Sequence, residues 1–275
     1  MAERWQVFAT QVARCRRRAS EPAIHDLRVA TRRLIAVLEI VRTVCPESDA
    51  ETLRRQLKRH LRAFSALRDI QVQIISVRNL TPRFPRLQLL RTVLMLRETQ
   101  TLKQAQREVR SIHPGMMERH LATAETRLEL LLADPLRRDL SRQIIHGVLG
   151  SAFSRAAGLR AGAMTGQTTR IHKYRVAFKR LRYTVEALRW MLPGADRTVL
   201  KTMNAYQTRM GVIQDIDVLI ASVNAFARRH SRTAPAQWLG LKVYLMDRRN
   251  KLIAEFMAGA GELERYWRAL FAVPS

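Results

Sequence analysis

The string "IHDLRVATRRL" runs from Ile24 to Leu34, and "IHKYRVAFKRL" runs from Ile171 to Leu181. The second repeats the first at seven of eleven positions, 147 residues further on. Neither contains Gly or Pro, and each is followed by a Pro break, "CPESDA" and then "LPGADR". A long apolar-periodic stretch with an acidic signature comes next: "FSALRDIQV" ending at Val72, and "MGVIQDIDV" ending at Val218. Asp69 and Asp215 of these signatures are 146 residues apart. Two motifs in one order at nearly one offset indicate an internal duplication. The half-repeats fall near 1–133 and 134–275.

No run alternates with period two, and breakers are sparse and grouped: Gly 11, Pro 9. The expected fold class is therefore all-α, two tandem four-helix bundles. Helices are predicted over 3–19, 22–44, 48–78, 84–112, 116–132, 135–160, 169–191, 196–229 and 235–268, with 116–132 extending or linking the halves.

On a helical wheel at about 100° per residue, Ile171, Tyr174, Phe178, Leu181, Val185 and Leu188 form one core-facing stripe. His172, Arg175, Lys179 and Arg182 lie on its flank, within about 80° of one another. In the first copy the stripe is Ile24, Leu27, Thr31, Leu34, Leu38 and Val41, and the flank is His25, Arg28 and Arg32. Like charges on neighbouring turns oppose the helix by a few tenths of a kcal/mol per pair. A solvated basic face would explain one such strip. Two copies that keep the flank types, while Asp26 and Lys173 off the flank differ in sign, favour a polyanion site. Arg33 and Arg180 sit elsewhere on the wheel; they either contact anion or pair with Asp69 and Asp215, which need a partner if buried. On the second-motif helix Arg54, Lys58 and Arg62 share a face; the second copy has only Lys201 and Arg209 there.

The chain of 275 residues carries 49 Lys and Arg against 23 Asp and Glu, a formal +26. Such a balance calls for anionic company: nucleic acid, anionic membrane or inorganic polyanion. Arg dominates, and its planar fork matches phosphate. No apolar run is expected to span a membrane and no signal pattern opens the chain, which points to a cytoplasmic protein. Cys15 and Cys45 have no metal-ligand spacing and read as incidental thiols. The seven histidines form no His-x-x-x-His pair. With no nucleophile or carboxylate constellation beside them, neither metal binding nor catalysis is expected. Among so many cations an imidazole stays neutral until a polyanion favours its protonated form.

The doubled His-x-x-Arg-Val-Ala-x-(Arg/Lys)-Arg-Leu, each copy followed by an Asp-centred helix, resembles the conserved histidine α-helical domain, or CHAD, over nearly the whole chain. "LKRHLRAFSALRDIQV" and "MNAYQTRMGVIQDIDV" are similar to that family's second motif. Ser65 stands where glycine is usual and Gly211 keeps it; Gln71 replaces an aspartate that Asp217 keeps; Asn204 replaces the lysine kept as Lys58. The resemblance implies two four-helix bundles in pseudo-two-fold relation, their basic helices facing a shared positive cavity or groove. It implies binding of inorganic polyphosphate and association with polyphosphate granules and their proteins. The site residues carried over are His25, Arg28, Arg32, Arg33, Lys58, His172, Arg175, Lys179, Arg180 and Arg182. The wheel adds Arg62 and Arg209. Triphosphate tunnel metalloenzymes, which often accompany such domains, carry Glu-x-Glu-x-Lys; here Glu262 and Glu264 are followed by Tyr266. The expectation is a stand-alone binding domain with no cofactor and no catalysis.

Two other readings compete. A nucleic-acid binder follows from the charge alone; aromatics are 6%, so stacking platforms are few and only nonspecific duplex binding is expected. An enzyme acting on polyphosphate or triphosphate lacks the carboxylates that would hold Mg²⁺.

Overall fold

The structure, a computed structural model, describes residues 1–230 and 238–272. Those residues form ten α-helices and one 3-10 turn, with no strand among them: α1 (Ala2–Arg17), α2 (Glu21–Val44), α3 (Ala50–Leu80), α4 (Leu87–Ser111), α5 (Pro114–Ala133), α6 (Pro135–Ala163), α7 (Thr168–Leu188), the 3-10 turn (Arg189–Met191), α8 (Arg197–His230), α9 (Leu239–Ala258) and α10 (Glu262–Phe271). The chain is all-α, as its period predicts.

Local chemistry accounts for the boundaries. Ser20 caps α2, its Oγ accepting from Ala23 N at 3.4 Å, and Pro22 occupies the first turn, where no intrahelical N–H is needed. Cys45 ends α2 because Pro46 cannot continue it. Asp196 opens α8 by accepting from Val199 N at 2.7 Å. Asp134 does the same for α6, accepting from Leu136 N at 2.9 Å.

Two expectations are corrected. The helix predicted over 235–268 is two helices, because Gly259 and Gly261 flank a break between α9 and α10; its predicted start at 235 lies outside the described residues. The expectation that no run could span a membrane is also too strong. Within Arg197–Arg229 one window reaches a mean hydropathy of 1.4, enough by length and composition, and 44% of that window is buried inside the fold. Its apolar residues Met210, Ile213, Ile216, Leu219 and Val223 belong to the core.

The chain divides into two units. The first comprises Met1–Gln71, Arg97–Ala152 and Tyr183–Leu188; the second comprises Val72–Leu96, Phe153–Arg182 and Arg189–Ser275. In the first, the α2 stripe Ile24, Leu27, Leu34 and Leu38 packs with Phe8 and Val12 of α1, Leu53, Leu57 and Phe64 of α3, and Val109 of α4. These are the positions that the 3-4 spacing assigned to the core. In the second, Tyr174 and Phe178 of α7 meet Tyr206 of α8, Phe256 of α9 and Tyr266 of α10, with ring centroids 5.0–6.4 Å apart. A separate apolar cluster there joins Leu87, Leu90 and Leu94 of α4 to Leu219 and Val223 of α8 and Leu241 and Leu245 of α9.

At Gly194, N donates to Leu270 O at 3.1 Å, and a Cβ would stand 1.8 Å from the Ala269 carbonyl oxygen. Backbone meets backbone there, so no flexible side chain can yield. Gly194→Ala is expected to lower stability by about 1–3 kcal/mol, read as a shift in the urea midpoint at unchanged m.

His60 is buried at 3% exposure, its Nδ1 2.6 Å from Glu108 Oε1. That contact places the ring hydrogen on Nδ1, donating to the carboxylate. Burial pushes the imidazole below its ordinary 6.5, outweighing the opposite pull of Glu108. Above pH 6.5 the folded and unfolded chains both keep this ring neutral. As pH falls below 6.5 the unfolded chain takes up a proton that the folded chain resists, so stability falls with pH. Urea titrations between pH 7.5 and 5 should show a shallower pH slope in His60→Gln, which keeps an N–H donor but does not titrate.

Candidate functional site

In the first unit the flank of α2 carries His25, Arg28 and Arg32, beside α3. His25 is exposed and Arg32 half-buried, whereas Arg28 is only 7% exposed. Arg28 Nη2 donates to Ser65 Oγ of α3 at 3.5 Å, and its buried Nε has no hydrogen-bond partner among the described residues. Burial, with Arg32 and Arg68 adding repulsion and Asp69 partly offsetting it, brings this guanidinium down to about 10. It remains charged at neutral pH. The same crowding acts on His25. Burial first, then Arg68, Arg28 and Arg32, hold it below 6.5 against the opposing pull of Asp26.

The other predicted residues of this unit have different surroundings. Arg33 Nε lies 2.6 Å from Glu186 Oε1, an ion pair off hydrogen-bond alignment. Its carboxylate is thus Glu186 on the last turns of α7; Asp69 is exposed. Lys58 Nζ is 3.0 Å from Glu39 Oε1, within a network in which Arg54 also reaches Glu39 at 3.0 Å and Glu51 at 2.6 Å. Burial works to raise the Glu39 carboxyl, yet Arg42 and Arg54 hold it below its ordinary value. Arg62 is exposed between Lys58 and Ser65 on one face of α3.

The second unit repeats the central feature. Arg175 of α7 lies against Gly211 of α8: a Cβ at 211 would stand 3.4 Å from Arg175 Nε and 3.5 Å from Nη2. This Nε too is buried without a hydrogen-bond partner among the described residues. Arg28 and Ser65, Arg175 and Gly211 are therefore matching pairs, 147 and 146 residues apart. The small residue of the second motif is the notch that seats the guanidinium of the first. His172 is exposed, Lys179 half-buried and Arg180 exposed. Arg182 is 8% exposed and its Nε donates to Gln207 Oε1 at 3.0 Å. Arg209, exposed, lies over the Tyr206 ring at 5.7 Å.

Three features escaped the sequence reading. Arg68, inside the quoted "FSALRDIQV", bears on both His25 and Arg28 and pairs with Glu21 at 2.6 Å. Glu39 and Glu186 stand at the same 147-residue offset as the histidines, so the repeat preserves a carboxylate as well as its cations. The Gln71 departure also has a partner. Asp217 is 3.4 Å from Arg249, whereas Gln71 Nε2 donates to Glu98 Oε1 at 3.2 Å. An aspartate at 71 would face a carboxylate. The Glu-x-Glu near the end is held by arginines: Glu264 by Arg160 at 2.5 Å and Glu262 by Arg265 at 2.6 Å.

The chain is an all-α domain that twice seats an arginine of a His-led basic helix on a small residue of the next helix. A family model described as "CHAD domain" matches residues 1–224, and the chain belongs to that family. Among solved structures it is similar to the CHAD domain from the plant Ricinus communis, at 17% identity and a TM-score of 0.62, covering 99% of this chain and 89% of that one. That likeness concerns the fold. No curated protein matches the sequence.

Because Gly211 contacts only the far end of a flexible side chain, and Ser65 already carries a Cβ at the matching position, alanine there is tolerated. Gly211→Ala is expected to stabilise α8 by up to about 1 kcal/mol, the helix-propensity difference, measured by urea unfolding.

Proposed function

We propose that this chain binds inorganic polyphosphate through the His/Arg/Lys strips of α2 and α7, without catalysis of its own. The observation that carries the reading is the seated arginine, present twice. Arg28 and Arg175 are each pressed against the next helix with a buried Nε that lacks an acceptor. The seating fixes each guanidinium at one place on its strip, and a charge held partly out of water interacts more strongly with an approaching phosphate. Membership of the CHAD family supports the same ligand. In this reading the whole chain is one domain with half-repeats 1–133 and 134–275, located in the cytoplasm with polyphosphate granules. It contacts nucleic acid only nonspecifically and has no membrane role.

A linear polyanion presents charge at short regular intervals. One strip offers three or four cations over about two turns, enough for a short piece. Two strips on one chain make the second engagement intramolecular.

Competition between long polyphosphate and duplex DNA at physiological salt separates the proposal from its main rival; preference for DNA would overturn it. Arg28→Ala and Arg175→Ala should each weaken polyphosphate by about 1–3 kcal/mol and flatten the salt dependence, since fewer counterions are released. Arg142, exposed and paired with Asp139 at 3.1 Å, is the control. Equal losses in Arg142→Ala would mean diffuse attraction to the net charge.

A further inference from the structure

α9 carries a second apolar face that the fold leaves open over its first three turns. Leu241, Leu245 and Phe256 are buried inside the second unit. Leu239, Val243, Met246, Asn250, Ile253 and Met257 follow a 4-3-4-3-4 spacing and share an arc of about 80° on another side. Leu239, Val243 and Met246 are 59%, 58% and 48% exposed. A side chain at Gly166 would touch Ile253 Cγ2 at 3.3 Å and Met257 Sδ at 3.7 Å, so the turn around 166 lies over the C-terminal end of this seam. The stretch from Leu239 to Asn250 is open.

The spacing is that of a two-stranded coiled coil, with Leu239, Met246 and Ile253 at d and Val243, Asn250 and Met257 at a. A single asparagine at an a position fixes register and orientation, because two such amides satisfy each other across a parallel pair. The flanking charges agree. Lys242 stands at g and Asp247 at e, five residues apart, the separation at which g of one strand meets e of the other in parallel pairing. Asp247 is 58% exposed and also holds Lys251 at 3.0 Å on its own helix, leaving an oxygen for a second cation. Antiparallel pairing would instead bring g against g and separate Lys242 of one copy from Asp247 of the other.

We propose that this face of α9 seats a second copy of the chain, α9 against α9 in parallel. Asn250 then meets Asn250, and Lys242 of each copy meets Asp247 of the other. The open seam is about 17 Å long, so the dimer is weak and concentration-dependent rather than obligate. It is independent of any bound anion.

The test is sedimentation velocity on the full chain over a concentration series, without polyanion. At about 0.3 M salt, charges more than about 6 Å apart are screened, so the repulsion between two +26 copies is suppressed while contact pairs survive. A monomer–dimer equilibrium is expected. Met246→Glu should weaken it roughly tenfold or more with unchanged helical circular dichroism, since the residue is exposed. Lys242→Glu should weaken it roughly two- to fivefold, and the double variant Lys242→Glu/Asp247→Lys should restore it. A chain that stays monomeric throughout, a dimer indifferent to Met246→Glu, or a charge swap that fails to restore association would each overturn the proposal.

Discussion

Scarcity of carboxylates is the constraint on which this structure turns. With 23 acidic side chains for 49 basic ones, one-to-one pairing is impossible, and the position of each carboxylate decides where positive charge is gathered. Glu39 gathers Arg42, Arg54 and Lys58. Glu186 takes Arg33, and Glu21 takes Arg68. Arg28 and Arg175 instead lie against the next helix with Nε unsatisfied. Burial amplifies the effect, since a guanidinium shielded from water interacts more strongly with whatever charge approaches it.

The seat of these arginines explains why two motifs travel together. A guanidinium can lie against the neighbouring helix only where that helix offers a small side chain, and Ser65 and Gly211 provide it. Replacing the usual glycine by serine in the first copy costs no contact, because the hydroxyl accepts from Arg28. Departures from a family pattern can thus be local solutions rather than losses. Gln71, facing Glu98 where Asp217 faces Arg249, is another.

Much of this was legible beforehand. The 3-4 stripes of α2 and α7 named their buried residues correctly, from Ile24 to Val41 and from Ile171 to Leu188, because burial on one face leaves a periodic trace in one dimension. The flank positions His25, Arg28 and Arg32, and His172, Arg175, Lys179 and Arg182, follow from the same pitch, but how far each is buried does not. The break at Gly259–Gly261 was missed because two isolated glycines in a helical pattern are each tolerable. For Arg33 the sequence left open anion contact or an aspartate of the second motif; the carboxylate beside it is Glu186, 153 positions away.

The sequence by itself determined the all-α class, the order of the helices as far as α8 and the spacing of the doubled motif. Each is a property of spacing along a chain whose helices have a fixed pitch. Only the tertiary structure decided which cations are quenched and which remain available. Lys58, Arg33 and Arg28 were all read as candidate anion contacts, yet Lys58 and Arg33 have carboxylates at 3.0 and 2.6 Å, whereas Arg28 has a serine hydroxyl. Charge pairing operates over a few ångströms in space, and positions on separate helices, many residues apart in the chain, come that close only once the helices have packed.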